Sequence, residues 1–158
     1  MDVVNLYGNR LRLRVCGLYR KDDRLLMVRH RGIGPTNTFW CPPGGGAAFG
    51  EAAPDALARE FAEETGLIVL TDELLFVHEF MKPPLHAIEL FFKVRVVGGT
   101  LQTGFDPEMA ADQQIIDEVR LMTFNEIKAF PPHEHHALFS YCHSLDDVFK
   151  LRGYLPRT

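Results

Sequence analysis

The stretch Gly45–Leu67, GGAAFGEAAPDALAREFAEETGL, decides how this chain reads. Pro54 stands where a helix can begin, because its missing N–H costs nothing in the first turn. Gly66 supplies a C-terminal stop, so the spacing predicts a helix over 54–65. At roughly 100° per residue, Glu60, Glu63 and Glu64 fall within an arc of about 100°. Leu57 and Phe61 occupy the adjoining arc, so the carboxylates border the buried stripe. Ala56 lies within the same arc and leaves room beside them. The grouping is locally unfavourable: like charges at i,i+4 cost about 0.2–0.5 kcal/mol a pair. Acids in the last helical turn oppose the dipole by about 0.3–1 kcal/mol each. A bound divalent cation reverses both effects, and all-carboxylate ligation suits Mg²⁺ or Mn²⁺ better than Zn²⁺. The residues alone thus point to a metal-assisted phosphate site, against the plainer reading of a solvated charged helix face.

The charge supports the site. The net charge is −4. Glu51, Asp55, Glu60, Glu63 and Glu64 stand against Arg59 alone in Gly45–Leu67, and the rest of the chain is neutral. A general nucleic-acid binder needs the opposite, a basic stripe. With 158 residues the chain predicts one domain, 1–158. Hydrophobic residues at 46 % and charged residues at 24 % exclude disorder, collagen and a coiled-coil rod. The longest aliphatic run, Leu67–Leu70, is far too short for a membrane span. The start, MDVVNLYGNR, lacks an apolar signal core. Cys16, Cys41 and Cys142 form no CxxC and leave one thiol unpaired, which predicts reduced thiols in a cytoplasm.

Around the helix, residues 11–20 and 25–28 read as a hairpin turning at Lys21-Asp22-Asp23. Residues 32–38 read as a loop. Residues 67–70, 74–80, 87–97 and 115–122 read as strands, with a long loop over 98–112. Residues 124–130 and 134–142 read as helices parted by Pro131-Pro132. Strands outnumber helices in mixed order, which predicts an α/β sandwich. His133-Glu134-His135-His136 and His143 raise a zinc reading, but the spacing is not HExxH and an exposed helix start is the expectation.

The wider spacing changes the weight of the glutamates. From Gly45 the chain fits G-x5-E-x7-R-E-U-x-E-E-x-G-U at every specified position, with U apolar. Chance agreement is about 10⁻⁹ per start position. This resembles the signature of the Nudix hydrolases. Trp40-x-x-Pro43-Gly44-Gly45 resembles the lead-in of that family, and Glu118-Val119-Arg120 followed by Phe124–Ile127 resembles its late strand and helix. The resemblance implies a mixed sheet sandwiched between helices over nearly the whole chain. It implies hydrolysis of a nucleoside diphosphate linked to a second group, with Mg²⁺ or Mn²⁺ as cofactor.

Carried over by residue, Glu60, Glu63 and Glu64 hold the metal, and Glu51 is an auxiliary ligand. Arg59 pairs with a carboxylate and orients it. Gly45 and Gly46 turn the backbone before the helix and face the substrate. The proton acceptor is a glutamate of the box or an acid of the later loop, Glu108 or Asp112, with Glu108 favoured. Arg29 and Arg31 follow a strand and are taken for phosphate contacts. Phe39, Trp40 and Phe80 could stack on a base or pack in the core. Pro83, sixteen residues after Leu67, resembles a proline of ADP-sugar hydrolases and points to ADP-ribose as substrate. A cytoplasmic enzyme with a small-molecule nucleotide substrate is the expectation, with no nucleic-acid or membrane partner; family habit allows a homodimer. Two rivals remain open: a nucleotide-sugar sensor of the same fold without turnover, and an RNA-cap hydrolase.

Overall fold

The computed structural model describes residues 3–104 and 116–156. A short helix α1 (Val3–Tyr7) leads into β1 (Arg10–Leu18). A hairpin follows, formed by β2 (Arg20–Lys21) and β3 (Arg24–Arg31), and then β4 (Thr38–Cys41) and β5 (Gly44–Gly46). Helix α2 (Ala53–Thr65) precedes two long strands, β6 (Leu67–Lys82) and β7 (Leu85–Gly99). Strand β8 (Ile116–Thr123), helix α3 (Phe124–Ala129), helix α4 (Leu145–Lys150) and β9 (Gly153–Leu155) complete the described chain.

The strands form two sheets. One is mixed, in the order β5-β1-β7-β6-β9, with β1 parallel to β7 and β6 antiparallel to it. The other is antiparallel, with β3 paired to β2, β4 and β8. The expected mixed sheet is present, joined by a second sheet. Two apolar clusters hold the layers together. Leu18, Met27, Trp40, Phe76, Phe91 and Phe139 anchor one, and Val148 of α4 and Ile127 of α3 join it. Leu57 and Phe61 of α2 pack on Val15, Leu26, Val69 and Val94 in the other. Burying each of these α2 side chains stabilises by about 1.5–3 kcal/mol.

Helix α2 lies within a residue of its expected span. Its N-terminus carries Pro54 and Asp55 in the first turn and has no side-chain cap. Gly66 ends it at φ 75°, donating its N–H to Ala62 O; only glycine takes that conformation without strain. The last carbonyls of the helix are met by a strap of backbone. Thr100 N donates to Gly66 O at 3.2 Å, Gln102 N to Thr65 O at 2.9 Å, and Gly104 N to Glu64 O at 2.7 Å.

Three expectations need correction. Residues 67–70 and 74–80 are one strand, not two; the intervening Asp72-Glu73 is a bulge in the β6–β7 ladder, with Asp72 paired to Arg95 at 2.9 Å. Residues 134–142 do not form an α-helix. Short 3₁₀ turns at Pro132–Glu134 and Ala137–Tyr141 flank an extended His135, which bridges to Trp40. His136 N donates to Trp40 O at 2.9 Å. Pairing to β4 outweighs the local helical preference, and both histidines are buried rather than exposed. Finally, Gly44–Gly46 is a strand beside β1, not a turn.

Candidate active site

A cavity of about 660 Å³ opens between α2, β5 and the ends of β1 and β7. Glu60, Glu63 and Glu64 line one wall, as their shared arc on α2 requires. Glu64 is 7 % exposed, and its Oε2 accepts from Gly44 N at 3.2 Å. Gly45 has no room for a side chain: a Cβ there would lie 2.3 Å from Cδ of Glu60. That close approach is what the glycine supplies. Gly45 and Gly46 both line the cavity.

Arg59 organises the outer carboxylates. Its Nε donates to Glu51 Oε2 at 2.8 Å and its Nη2 to Glu51 Oε1 at 3.0 Å. Its Nη1 donates to Glu60 Oε1 at 3.0 Å and to Glu63 Oε2 at 3.3 Å. Nη2 also reaches Gly46 O at 3.2 Å, tying α2 to β5. The Arg59 fork and the Ala48 amide hold the Glu51 carboxyl down at about 2. Glu51 is therefore committed to Arg59 and is absent from the cavity lining.

The inner carboxylates go the other way. Burial pushes the Glu64 carboxyl well above its ordinary value, and Glu60 beside it adds to the shift. Burial likewise raises Glu60 against the pull of Arg59. A buried and a half-buried carboxylate side by side, offering only oxygen donors, fit a hard divalent cation.

A second polar cluster stands deeper. His78, Glu89 and His136 are buried, and their ligand atoms lie within 4.8 Å of one another, close enough to hold a metal. Glu89 Oε1 accepts from His78 Nδ1 at 2.9 Å and from His136 Nε2 at 2.7 Å. Leu138 N–H donates to His136 Nδ1 at 2.9 Å. A neutral imidazole with an accepting Nδ1 carries its hydrogen on Nε2. That nitrogen is therefore a donor to Glu89, and the cluster in this form is a hydrogen-bonded clamp. Burial opposes the Glu89 charge, but His136, His78 and the nearby Arg14 charge outweigh it and hold the carboxyl below its usual range. Burial lowers His136 against the pull of Glu89.

Opposite the carboxylates, Arg10, Arg12 and Arg14 of β1 line the cavity at alternate positions. Leu11 and Leu13 between them also border the cavity and are 63 % and 45 % exposed. The Arg12 guanidinium lies over the Tyr7 ring at 4.0 Å; burial and the neighbouring Arg14 lower it to about 10, still charged at neutral pH.

The predicted residues divide accordingly. Glu60, Glu63, Glu64, Arg59, Gly45 and Gly46 come together. Arg29 and Arg31 do not line the cavity; Arg29 pairs with Asp117 at 2.7 Å and Glu118 at 3.5 Å, and Arg31 with Asp117 at 3.7 Å. Pro83 sits in the β6–β7 connection, outside the lining, while Leu85 and His86 just after it contribute. Phe39 and Phe80 line the cavity as an edge-to-face pair, whereas Trp40 is a core residue against Phe130. Glu108 and Asp112 lie outside the described residues.

Comparison with known proteins agrees with this geometry. Residues 8–141 match the family model of the NUDIX domain. An ADP-ribose pyrophosphatase of Methanocaldococcus jannaschii is 35 % identical over 98 residues, spanning 61 % of this chain and 57 % of that protein. An uncharacterized Nudix hydrolase of Bacillus subtilis is 33 % identical over 60 residues, 38 % of this chain and 35 % of that protein. The matched stretches thus span little more than half of one curated relative and about a third of the other. The fold is shared with a Nudix hydrolase of Nitrosomonas europaea, at a TM-score of 0.67 and 24 % identity over 87 % of this chain and 88 % of that one. It is also shared with a MutT protein of Methanosarcina mazei, at 0.65 and 19 % over 90 % and 92 %. With the signature helix, its carboxylate wall and the sheet arrangement all in place, the chain belongs to the Nudix family.

Proposed function

We propose that this protein hydrolyses the pyrophosphate bond of a nucleoside diphosphate joined to a second group, with ADP-ribose as the first compound to test. The observation that carries the reading is the pair on the cavity wall, Glu64 buried and Glu60 half-buried, both with raised carboxyl pKa values. Such a pair is poised to exchange protons for a cation. Glu60, Glu63 and Glu64 would hold Mg²⁺ or Mn²⁺, which supplies charge neutralisation for a diphosphate and makes nearby water more acidic.

The chain's own residues do the rest. Arg59 fixes the orientation of Glu60 and Glu63 while spending its fork on Glu51. Gly44 N–H orients Glu64. Glu63, with a side chain 29 % exposed, is the box carboxylate that water reaches most readily and is suited to accept its proton at a carboxylate oxygen. Phe39 and Phe80 offer an aromatic edge for a nucleobase. The M. jannaschii relative's name supports ADP-ribose among the compounds of this class.

The test is product analysis after incubation with Mg²⁺ and a panel of ADP-ribose, other nucleotide sugars, dinucleoside polyphosphates and nucleoside triphosphates, with Glu64→Gln as control. One compound cleaved well above the others, and spared by Glu64→Gln, is the expected result. Cation-dependent nucleotide binding with no cleavage of any compound would overturn it in favour of a sensor.

A further inference from the structure

Among the cationic side chains of the cavity, Arg14 is the one with a buried nitrogen left without a hydrogen-bond partner among the described residues. No described residue accepts a hydrogen bond from it or pairs with it within 4.0 Å, and its buried Nε has no partner. Arg10 donates to Leu6 O, and Arg59 is committed to Glu51. Glu89 and Glu64 lie near enough to favour its charge, but a buried guanidinium N–H without an acceptor is costly unless an anion arrives to use it.

The obvious internal partner is Glu89, which faces Arg14 in the β1–β7 register. It is taken. Its Oε1 accepts from both His78 and His136, and its Oε2 lies 4.0 Å from the Cys16 thiol. The Leu138 amide fixes the His136 tautomer that makes this possible. The clamp keeps Glu89 ionised and near Arg14 without letting it consume the guanidinium. Arg12, two residues earlier on the same face, is braced flat on Tyr7. Its Nη2 lies 3.4 Å from where a Cβ on Gly46 would stand, at the strand that also approaches Glu60.

We propose that Arg14, with Arg12 beside it, is the phosphate-binding subsite of this cavity. The substrate diphosphate then lies between the arginine face of β1 and the carboxylate face of α2. His78 and His136 are positioning residues: acting through Glu89, they keep Arg14 free. This rests on the hydrolase reading above for the identity of the anion.

The experiment combines calorimetric titration of the full chain with inorganic pyrophosphate in Mg²⁺, steady-state hydrolysis of ADP-ribose, and Mn²⁺ affinity measured from free Mn²⁺ by electron paramagnetic resonance without added anion. Arg14→Gln should weaken pyrophosphate binding and raise the ADP-ribose KM by about 10- to 100-fold, as expected for a lost charge-assisted contact. Mn²⁺ affinity and kcat should change by less than about threefold on the same grounds. Arg14→Lys should recover part of the loss, since it restores the charge without the fork. His136→Gln, which keeps a donor toward Glu89, should hold KM near that of the wild type, whereas His136→Leu, which frees Glu89 to capture Arg14, should raise it.

Unchanged pyrophosphate binding in a folded Arg14→Gln protein overturns the subsite. So does a parallel loss of Mn²⁺ affinity, because the arginine would then act through the box. A KM raised equally in both His136 variants overturns the positioning role. If the wild type cleaves nothing while Arg14→Gln still weakens pyrophosphate, the hydrolase reading fails and the subsite stands.

Discussion

Glu64 and Glu89 are the same residue type, in the same cavity, at 7 % and 3 % exposure. Their environments drive them apart. Glu64 has one backbone N–H and a neighbouring carboxylate, and its pKa climbs. Glu89 has two imidazole donors, and its pKa falls. Burial alone therefore says nothing about charge; what decides it is whether the fold brings donors to the buried oxygen. One glutamate is left incomplete and the other is finished, and the incomplete one lies on the wall suited to a cation.

The largest expected effect tests the incomplete side. Glu64→Gln should reduce turnover by at least about 100-fold, because losing a ligand exceeds the usual cost of losing a supporting contact. Its metal-free melting midpoint at neutral pH should not fall below that of the wild type, since a neutral amide replaces a strained charge. A clear drop in that midpoint would erase the contrast with Glu89. On the finished side, Glu89→Leu strands two buried imidazole donors and should cost about 3 kcal/mol in urea unfolding. A loss below about 1 kcal/mol would mean the clamp contributes no more than an ordinary hydrogen bond.

Arg59→Lys comes next. A lysine cannot bind Glu51 through a fork and also reach Glu60 and Glu63, so metal affinity should fall by about 10-fold or more. The pH dependence is subtler. Glu60 and Glu64 have folded pKa values above their ordinary 4.5. Their protonated forms stabilise the fold below that value, and this contribution is lost as pH rises through the raised values. Glu89 behaves oppositely: its contribution is present above 4.5 and is lost only as pH falls through its depressed value. Mg²⁺ should therefore raise the melting midpoint more at pH 8 than at pH 5, and an equal rise would break the assignment. The smallest expected effect is none: His78→Gln should leave the stoichiometry of bound Mn²⁺ unchanged, and a lost equivalent would make the clamp a metal site.

The same contrast explains what the sequence revealed. Arg59, Glu60, Glu63 and Glu64 lie on one helix, so their geometry follows from a 3.6-residue period and was legible, as were α2, β7 and β8. The clamp joins residues 78, 89 and 136 from three segments, and no local pattern links them. The arginines of β1 alternate with leucines, which identifies a strand but not which face turns inward. Here Arg12 and Arg14 are half-buried in the cavity while Leu11 and Leu13 beside them are largely exposed, the reverse of the common arrangement. Arg29 and Arg31 looked available only because their partners, Asp117 and Glu118, are nearly ninety positions away. Residues 133–136 have helical composition, yet the ladder to Trp40 draws them straight and carries His136 to Glu89.

The strap over the end of α2 makes the carboxylate wall observable without any substrate. The amides of Gln102 and Gly104 are bonded to carbonyls of Thr65 and Glu64. They can trade hydrogen for solvent deuterium only when the last turn of that helix opens. Their exchange rates are thus a clock on the segment that carries the carboxylates. A cation that stitches that turn together should slow both amides, while the Ser144-capped α4, remote from the wall, keeps its own time.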